Sequence, residues 1–273
     1  MNQFFSFQRF SLLVSKHWAD NRKRYVLSVL AFIGLLIAWF VFTILTEESL
    51  PMSRDIQQAT FFFSLVVAGT FYASQYFADL GSRAKGINFL LVPASSFEKL
   101  MCGLLYTVVL FFCVFTVAFY LVDVVMVAIA NSLSGPGRVA AKAEVINIFK
   151  VVLLRFNTDA TINFLLCFLS VQAAFLLGSV YFAKYGFIKT IITGFIGFFI
   201  LFCIMYFFSE VLLPDGDYPS GFLTTYQIFV EGGPDHLVQI PSWIGEVFRF
   251  LAMYGIAPFL WIVTYYRLKE KQV

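Results

Sequence analysis

The sequence is short of charge. Only 13% of its 273 residues are Asp, Glu, Lys or Arg, whereas 60% are hydrophobic and 19% are aromatic. A soluble globular domain has about a quarter of its residues charged, because its surface must stay hydrated. The composition therefore excludes a soluble domain and indicates a protein whose main solvent is lipid. The net charge of +3 is also too small to indicate a nucleic-acid partner.

The sequence also lacks the residue sets of common enzyme chemistry. It has no G-x-x-x-x-G-K-S/T motif, so this chain cannot hydrolyse ATP as P-loop proteins do. Its only two histidines, His17 and His236, lie far apart and belong to no metal-binding motif. The four cysteines form no C-x-x-C pair, so they predict neither a disulfide framework nor a metal site. We expect a non-enzymatic chain that holds no metal or cofactor of its own.

What the sequence has instead is long apolar runs. A helix rises about 1.5 Å per residue, so roughly 20 apolar residues cross the hydrocarbon core of a membrane. Six runs are long enough, and they predict an all-α polytopic membrane protein that forms a single domain over 1–273. The predicted spans lie near Tyr25–Leu45, Ala59–Ala78, Leu100–Ala130, Thr161–Ala183, Phe187–Phe208 and Val247–Tyr266.

The positive charges predict the orientation. With both termini in the cytoplasm, 13 Lys and Arg residues fall on the cytoplasmic side and five on the other side. Cytoplasmic loops carry an excess of Lys and Arg, so this orientation is favoured. The loop 131–160 does not fit this orientation, because it holds four of the five Lys and Arg residues on the non-cytoplasmic side. We expect a multi-pass protein of a bacterial inner membrane, in contact with membrane lipids.

Two extracytoplasmic loops have patterns of their own. In the loop 131–160, the stretch Val139–Asn157 alternates apolar and charged residues, which fits an amphipathic helix on the membrane surface or a helical continuation packed on its neighbours. The insertion 210–246, before the last span, has six acidic residues and no Lys or Arg. Phe222, Tyr226 and Phe229 recur at helical spacing, which favours a re-entrant or interfacial helix pair over a plain acidic loop.

The first 24 residues combine aromatic and basic side chains. Phe7, Phe10, Val14 and Trp18 form one helical stripe, and cations lie between them. This pattern predicts a separate amphipathic helix over 1–24, lying in the cytoplasmic interface. The alternative is an ordinary positively charged flank of the first span.

The predicted cytoplasmic loop 79–99 is short, charged and interrupted by Pro93. Ser95 with Glu98 three residues later has the spacing of a capping box, which predicts that the helix of the third span begins there. Ahead of it, the run Ile87–Val92 is apolar but too short to cross a membrane. We predict a compact structure with an apolar face and a charged rim, suited to the groove of a cytoplasmic protein.

This loop carries a resemblance to a known family. The stretch GINFLLVPASSFEKLMCGLLY is similar to the permease subunits of type-2 ATP-binding-cassette (ABC) exporters, which commonly carry a Gly, two leucines, a P-x-S and a Lys before the third span. The matching residues here are Gly86, Leu90, Leu91, Pro93–Ser95 and Lys99. Two features depart from the family pattern: the long, basic loop 131–160 and the overlong third span.

The resemblance implies a function. The loop 79–99 would be the coupling element that docks on a cytoplasmic nucleotide-binding ATPase, and 1–24 would be the elbow helix. ATP and Mg would be bound by the ATPase, and a second permease copy, identical or related, would complete an exporter of a hydrophobic or amphipathic substrate. The residues expected to bind the ATPase are Arg83, Lys85, Phe89, Leu90, Leu91, Pro93, Ser95, Phe97, Glu98 and Lys99.

Other functions remain open. A non-transporting membrane anchor or a regulatory subunit of a cell-envelope complex has the same composition. A secondary transporter is disfavoured, because the sequence shows no inverted repeat. Asp123 is the one carboxylate well inside an apolar run, where it would line a substrate path, pair across a subunit interface, or reach the outer headgroups if the long third span places it there.

Overall fold

The computed structural model describes residues 5–46, 52–133, 143–145, 158–212, 225–228, 236–239 and 242–271. Within these ranges the chain is helical except for short connections and one pair of strands. The helices are α1 (Phe7–Thr46), α2 (Arg54–Tyr76), α3 (Arg83–Leu90), α4 (Ser96–Leu104), α5 (Phe111–Leu133), α6 (Thr158–Tyr181), α7 (Gly186–Leu212), α8 (Ser242–Phe250) and α9 (Ile256–Glu270).

Two of the spans are composite. A π-turn, Leu105–Leu110, joins α4 to α5, and a second π-turn, Leu251–Gly255, joins α8 to α9. With these joins, six helical rods in the described part of the chain are long and apolar enough to cross a membrane. The protein is therefore a multi-pass, largely helical membrane protein, as the apolar runs predict. The third rod, Ser96–Ser132, has 37 residues and is overlong, also as predicted.

The structure differs from the prediction at α1. Residues Phe7–Thr46 form one helix of 40 residues, about 60 Å long and roughly twice the thickness of the hydrocarbon core. The predicted separate helix over 1–24 is wrong, because no break divides it from the first span. The physical reason is local: no Gly or Pro lies between Phe7 and Tyr25, so nothing ends the helix.

Helix α1 packs against both helices of the third rod, α4 and α5, and runs in the same direction. Ring contacts link Phe32 to Phe115 at 5.0 Å and Phe40 to Phe119 at 6.0 Å. Phe61 of α2 lies 5.1 Å from the Phe119 ring and completes an aromatic core between α1, α2 and α5. Helix α6 packs against α2, α7 and α9. Helix α7 is peripheral, since its most apolar stretch buries none of its residues.

One end of the bundle gathers both ends of the described chain. The backbone N–H of Ser6 donates to Glu98 at the start of α4, and Lys271 donates to the carbonyl of Val180 at the end of α6. Helix α3 lies at this same end, which we call the α3 end. That the α3 end faces the cytoplasm stays a prediction from the distribution of Lys and Arg.

The opposite end corrects two predictions about loops. Asn131 exchanges two hydrogen bonds of 2.9 Å with the backbone of Ala143, and residues 143–145 are not helical. The predicted amphipathic helix over Val139–Asn157 is therefore wrong at these three residues, where a side-chain amide takes the place of helical hydrogen bonds. The rest of Val139–Asn157 lies outside the described residues. The same holds for the rest of the loop 131–160, apart from the end of α5 and the start of α6.

In the insertion 210–246, Thr225–Ile228 (β1) pairs antiparallel with His236–Gln239 (β2). The predicted helix through Tyr226 is wrong here, and among the described residues this pair of strands is the one exception to the all-α assignment. β-branched and aromatic residues favour strands, and the Gly-Gly-Pro sequence between the two strands favours a turn. Phe222 and Phe229 lie outside the described residues. The insertion also contributes the end of α7 and the start of α8.

Candidate functional site

The 79–99 segment is a compact, hydrogen-bonded unit. A 3₁₀ turn, Ala78–Gly81, leads into α3, and a tight turn after Leu91 leads into α4. The N–H of Gly86 donates to the Ser82 carbonyl at 2.7 Å, and that of Leu91 donates to Ile87 at 2.9 Å. Backbone hydrogen bonds thus hold the segment between α2 and α4 in a defined conformation.

Glu98 forms the predicted capping box and does more. The Ser95 hydroxyl accepts the Glu98 N–H at 3.1 Å, and the Glu98 carboxylate accepts the Ser95 N–H at 2.8 Å. The other carboxylate oxygen accepts the N–H of Ser6 at 2.7 Å and Arg9 Nη2 at 3.0 Å. Glu98 is 0% exposed, so its predicted place on an exposed rim is wrong. It joins the start of α1 to the start of α4.

Lys99 is also buried, at 1% exposure. Its Nζ donates to the Leu90 carbonyl at 3.1 Å and lies 5.4 Å from the centre of the Phe89 ring. The last carbonyls of a helix lack intrahelical donors, and a cation there is favourable. Lys99 therefore caps α3 from α4, and its predicted place on the rim is wrong as well.

The apolar residues of the segment divide into two groups. Leu91 is 74% exposed and Ile87 is 56% exposed. Phe89 and Phe97 are half-buried in contacts with this chain: Phe89 meets the Phe77 ring edge-on at 5.9 Å, and Phe97 meets Phe5 at 6.2 Å. The prediction that both phenylalanines face outward is wrong. Leu90 is also half-buried.

The remaining predicted site residues follow the same division. Lys85 is exposed and pairs with Asp79 at 3.2 Å. Pro93 is exposed and Ser95 is half-buried. Arg83 begins α3, but its side chain lies outside the described residues. Exposed Ile87, Leu91 and Pro93 thus form the accessible apolar surface of the segment, which we call the α3 face.

The segment is fixed to a fourth element through Gly81. A Cβ built on Gly81 would overlap the backbone of Ala183, which follows the end of α6. Only glycine allows this close approach. Together with Phe89 against Phe77 of the second span and Lys99 of the third, this contact ties the 79–99 segment to three spans.

A groove of about 360 Å³ runs between α1 and the turn after α3. Its apolar wall includes Leu12 and Leu13 of α1 and Leu91 of the α3 face, and Arg9 and Lys16 lie along it. The contributions of Ile87, Ser6 and Arg9 to this site were not predicted. The signal for Ile87 was available, since it stands four residues before Leu91 on one helical face.

Asp123 lies apart from this site. It is 1% exposed on α5, about one helical turn beyond the contact between Phe119 and Phe40. Because α1 and α5 run parallel, this level is near the end of α1 at Thr46, opposite the α3 end. That the long third span carries Asp123 to the outer headgroups stays a prediction. A role in a substrate path or an interface stays a prediction.

Among the described residues, no three His, Cys, Asp or Glu side chains are placed to hold a metal ion. The α3 end presents the exposed apolar residues of the α3 face. Comparison with known proteins finds no matching family model, no similar curated protein and no similar solved structure.

Proposed function

We propose that this chain is the membrane-spanning permease subunit of an ABC exporter, and that its α3 face docks on a separate ATPase. The observation that carries the proposal is the pairing of exposure with rigidity at α3. Ile87 and Leu91 are exposed on one side of a helix that is clamped on its other side to three spans.

Exposure of this kind calls for a partner. Ile87 and Leu91 stand four residues apart, so they share one face of α3. Adjacent apolar side chains in water are costly, and their clustering marks an interaction surface. The exposed cation Lys85 beside them would orient a partner more than it strengthens binding. A soluble protein with an apolar cleft fits this face.

Rigidity is what a force-transmitting contact needs. A push on α3 reaches α4 through the Lys99–Leu90 hydrogen bond and the end of α2 through the Phe89–Phe77 contact. It reaches α6 through the close approach of Gly81 to Ala183. Closure of an ATP-bound partner would therefore be transmitted to three spans at once, which is the mechanical task of a coupling element.

The remaining parts of the proposal come from the resemblance in sequence. ATP and Mg would be bound by the ATPase, because this chain has no phosphate-binding motif of that kind. A second permease copy would complete the pathway, and a hydrophobic or amphipathic substrate would be exported across the bacterial inner membrane, with both termini in the cytoplasm.

Purification from native membranes tests the proposal. A tagged chain extracted in mild detergent should carry with it a protein that contains a P-loop motif and hydrolyses ATP. The double variant Ile87→Asp/Leu91→Asp should lose both the protein and the ATPase activity, because two carboxylates cannot enter an apolar cleft unpaired. Ser82→Asp is the matched control, since it adds an acidic residue at the exposed N-cap of the same helix, a position that accepts one.

A second outcome would favour the rival function. If the chain purifies with partners that lack a P-loop and no ATPase activity follows it, a membrane anchor or regulatory subunit becomes the better assignment. If the double variant keeps a P-loop partner at full yield, docking through the α3 face is wrong.

A further inference from the structure

The α-helical hydrogen bonding of the third span is interrupted between α4 and α5. Between α4 and α5, residues Leu105–Leu110 form a π-turn, in which hydrogen bonds run from residue i to i+5. A π-turn holds one residue more than the α-helical turn it replaces. Sharp changes of direction in helices concentrate at such turns.

The neighbouring helices α1 and α6 form hydrogen bonds with this turn on two sides. Tyr106 donates its hydroxyl to the carbonyl of Val14 on α1 at 2.9 Å. On the other side, the Gln172 amide of α6 donates to the carbonyl of Thr107. Gln172 is 1% exposed and Thr107 is 0% exposed, so this hydrogen bond is shielded from water.

The buried amide of Gln172 is energetically unfavourable at this position. Its Oε1 finds no hydrogen-bond partner in the described part of the chain, while its Nε2 is satisfied by Thr107. A buried acceptor without a donor is unfavourable, so a leucine would pack at lower cost if the amide had no task. The task visible in the structure is to donate to a carbonyl of the π-turn.

The π-turn lies between two parts of the third span, α4 and α5, that make different contacts. Below it, α4 carries Glu98 and Lys99, which hold α1 and α3. Above it, α5 carries Phe115 and Phe119, which belong to the aromatic core with Phe40. The α3 end is therefore joined to the aromatic core, along the third span, only through the π-turn.

We infer that the π-turn Leu105–Leu110 is a joint that lets α4, with the end of α3 that it caps, change its angle to α5, and that Gln172 holds this joint in its π register. In an uninterrupted α-helix, the Thr107 carbonyl would accept the N–H of Phe111, and Gln172 would lose its acceptor. The inference depends on the fold alone and holds whether or not the chain docks on an ATPase.

A pair of one-residue deletions tests the joint. Deleting Val109, an exposed residue of the π-turn, should leave an unbroken helix with both flanks in place, because the turn holds one residue in excess. Deleting Val117, an exposed valine in the regular part of α5, should prevent folding, because it rotates the two sides of the helix by about 100° relative to each other. Comparable yield and thermal stability of the two deletion proteins would overturn the inference.

Spin labels report the motion. The labels are placed at Lys85 and Val125, in a background without native cysteines. The distribution of distances between the two labels should be broad in the wild type and narrow in the Val109 deletion. A deletion protein that folds and keeps the wild-type distribution would show that the turn is not a joint.

The variant Gln172→Leu gives a second, independent test. It should broaden the distance distribution in the full-length chain and have no effect in the Val109 deletion, where the amide has no acceptor to lose. Gln57→Leu is the matched control: Gln57 is equally buried but donates to Met52 and Glu144 at the opposite end. Equal broadening by both variants, or none by Gln172→Leu, would overturn the role of Gln172.

Discussion

The two sides of the 79–99 segment use the same residue types for opposite purposes. On the side that faces the bundle, Lys99 caps α3 and Phe89 packs against Phe77. On the side that faces away, Lys85 and Leu91 are exposed. Side-chain chemistry does not separate these pairs, but the direction of each side chain does. Phe89 and Leu91 stand two positions apart at the end of α3, so they point to nearly opposite sides.

The comparison gives each side a distinct experimental signature. Changes on the bundle-facing side should lower the stability of the chain, measured as the thermal midpoint in detergent. Changes on the α3 face should leave that midpoint unchanged and remove the partner.

Gly81→Ala should have the largest effect on stability. The new Cβ would overlap the backbone of Ala183, which cannot move without displacing the end of α6. Overpacking against backbone costs about 3 kcal/mol or more, so we expect low yield and a strongly reduced thermal midpoint. Gly194→Ala is the control, because nothing lies within 4 Å of its added Cβ. Equal midpoints for the two variants would contradict the fixed contact with α6.

Glu98→Ala should come next. It removes an acceptor shared by the Ser6 and Ser95 N–H groups and by Arg9. Loss of the cap and of buried acceptors should cost about 2–3 kcal/mol. The exposed Glu270→Ala, which breaks only a surface pair with Arg267, should leave the thermal midpoint nearly unchanged. Proteolysis near residue 6 should also increase in Glu98→Ala alone, because the start of α1 is released.

Lys99→Met should have a smaller effect. It keeps the length and packing of the side chain but deprives the Leu90 carbonyl of its donor. A hydrogen bond to a charged group contributes about 1.5–3 kcal/mol, part of which methionine packing recovers. Lys85→Met, on the exposed side, is the matched control and should be nearly neutral. A larger loss for Lys85→Met than for Lys99→Met would reverse the assignment of the two lysines.

Ile87→Ser and Leu91→Ser should leave stability within about 0.5 kcal/mol of the wild type, because exposed side chains contribute little to folding. The same variants should weaken retention of the proposed ATPase partner during purification. A stability loss as large as that of Lys99→Met would mean that these residues pack within the protein.

Much of this arrangement could be predicted from sequence, and the reasons for the exceptions are specific. Six apolar runs mark six spans, since crossing a membrane fixes length and hydropathy together. Ser95 and Glu98 mark the start of α4, since a capping box is local in sequence. The burial of Lys99 could not be read in the same way, because it depends on the angle at which α3 meets α4.

The ion pair between Arg9 and Glu98 also could not be predicted from sequence, because the two residues lie 89 positions apart. The absence of Gly and Pro between Phe7 and Tyr25 indicates one continuous α1, whereas the aromatic stripe with Phe10 and Trp18 is typical of an interfacial helix. Tyr226 belongs to a helical spacing of aromatic residues but lies in a strand, because backbone pairing with β2 overrides the periodicity there.

Photo-crosslinking at single positions, in native membranes, tests the docking of an ATPase on the α3 face most directly. Benzoylphenylalanine at Leu91 should crosslink to a protein that contains a P-loop motif, with a yield that changes when ATP is added. The same group at Phe89 should crosslink within this chain. Crosslinks from Leu91 that reach only lipid or this chain itself, in membranes where the chain is intact, would contradict the account.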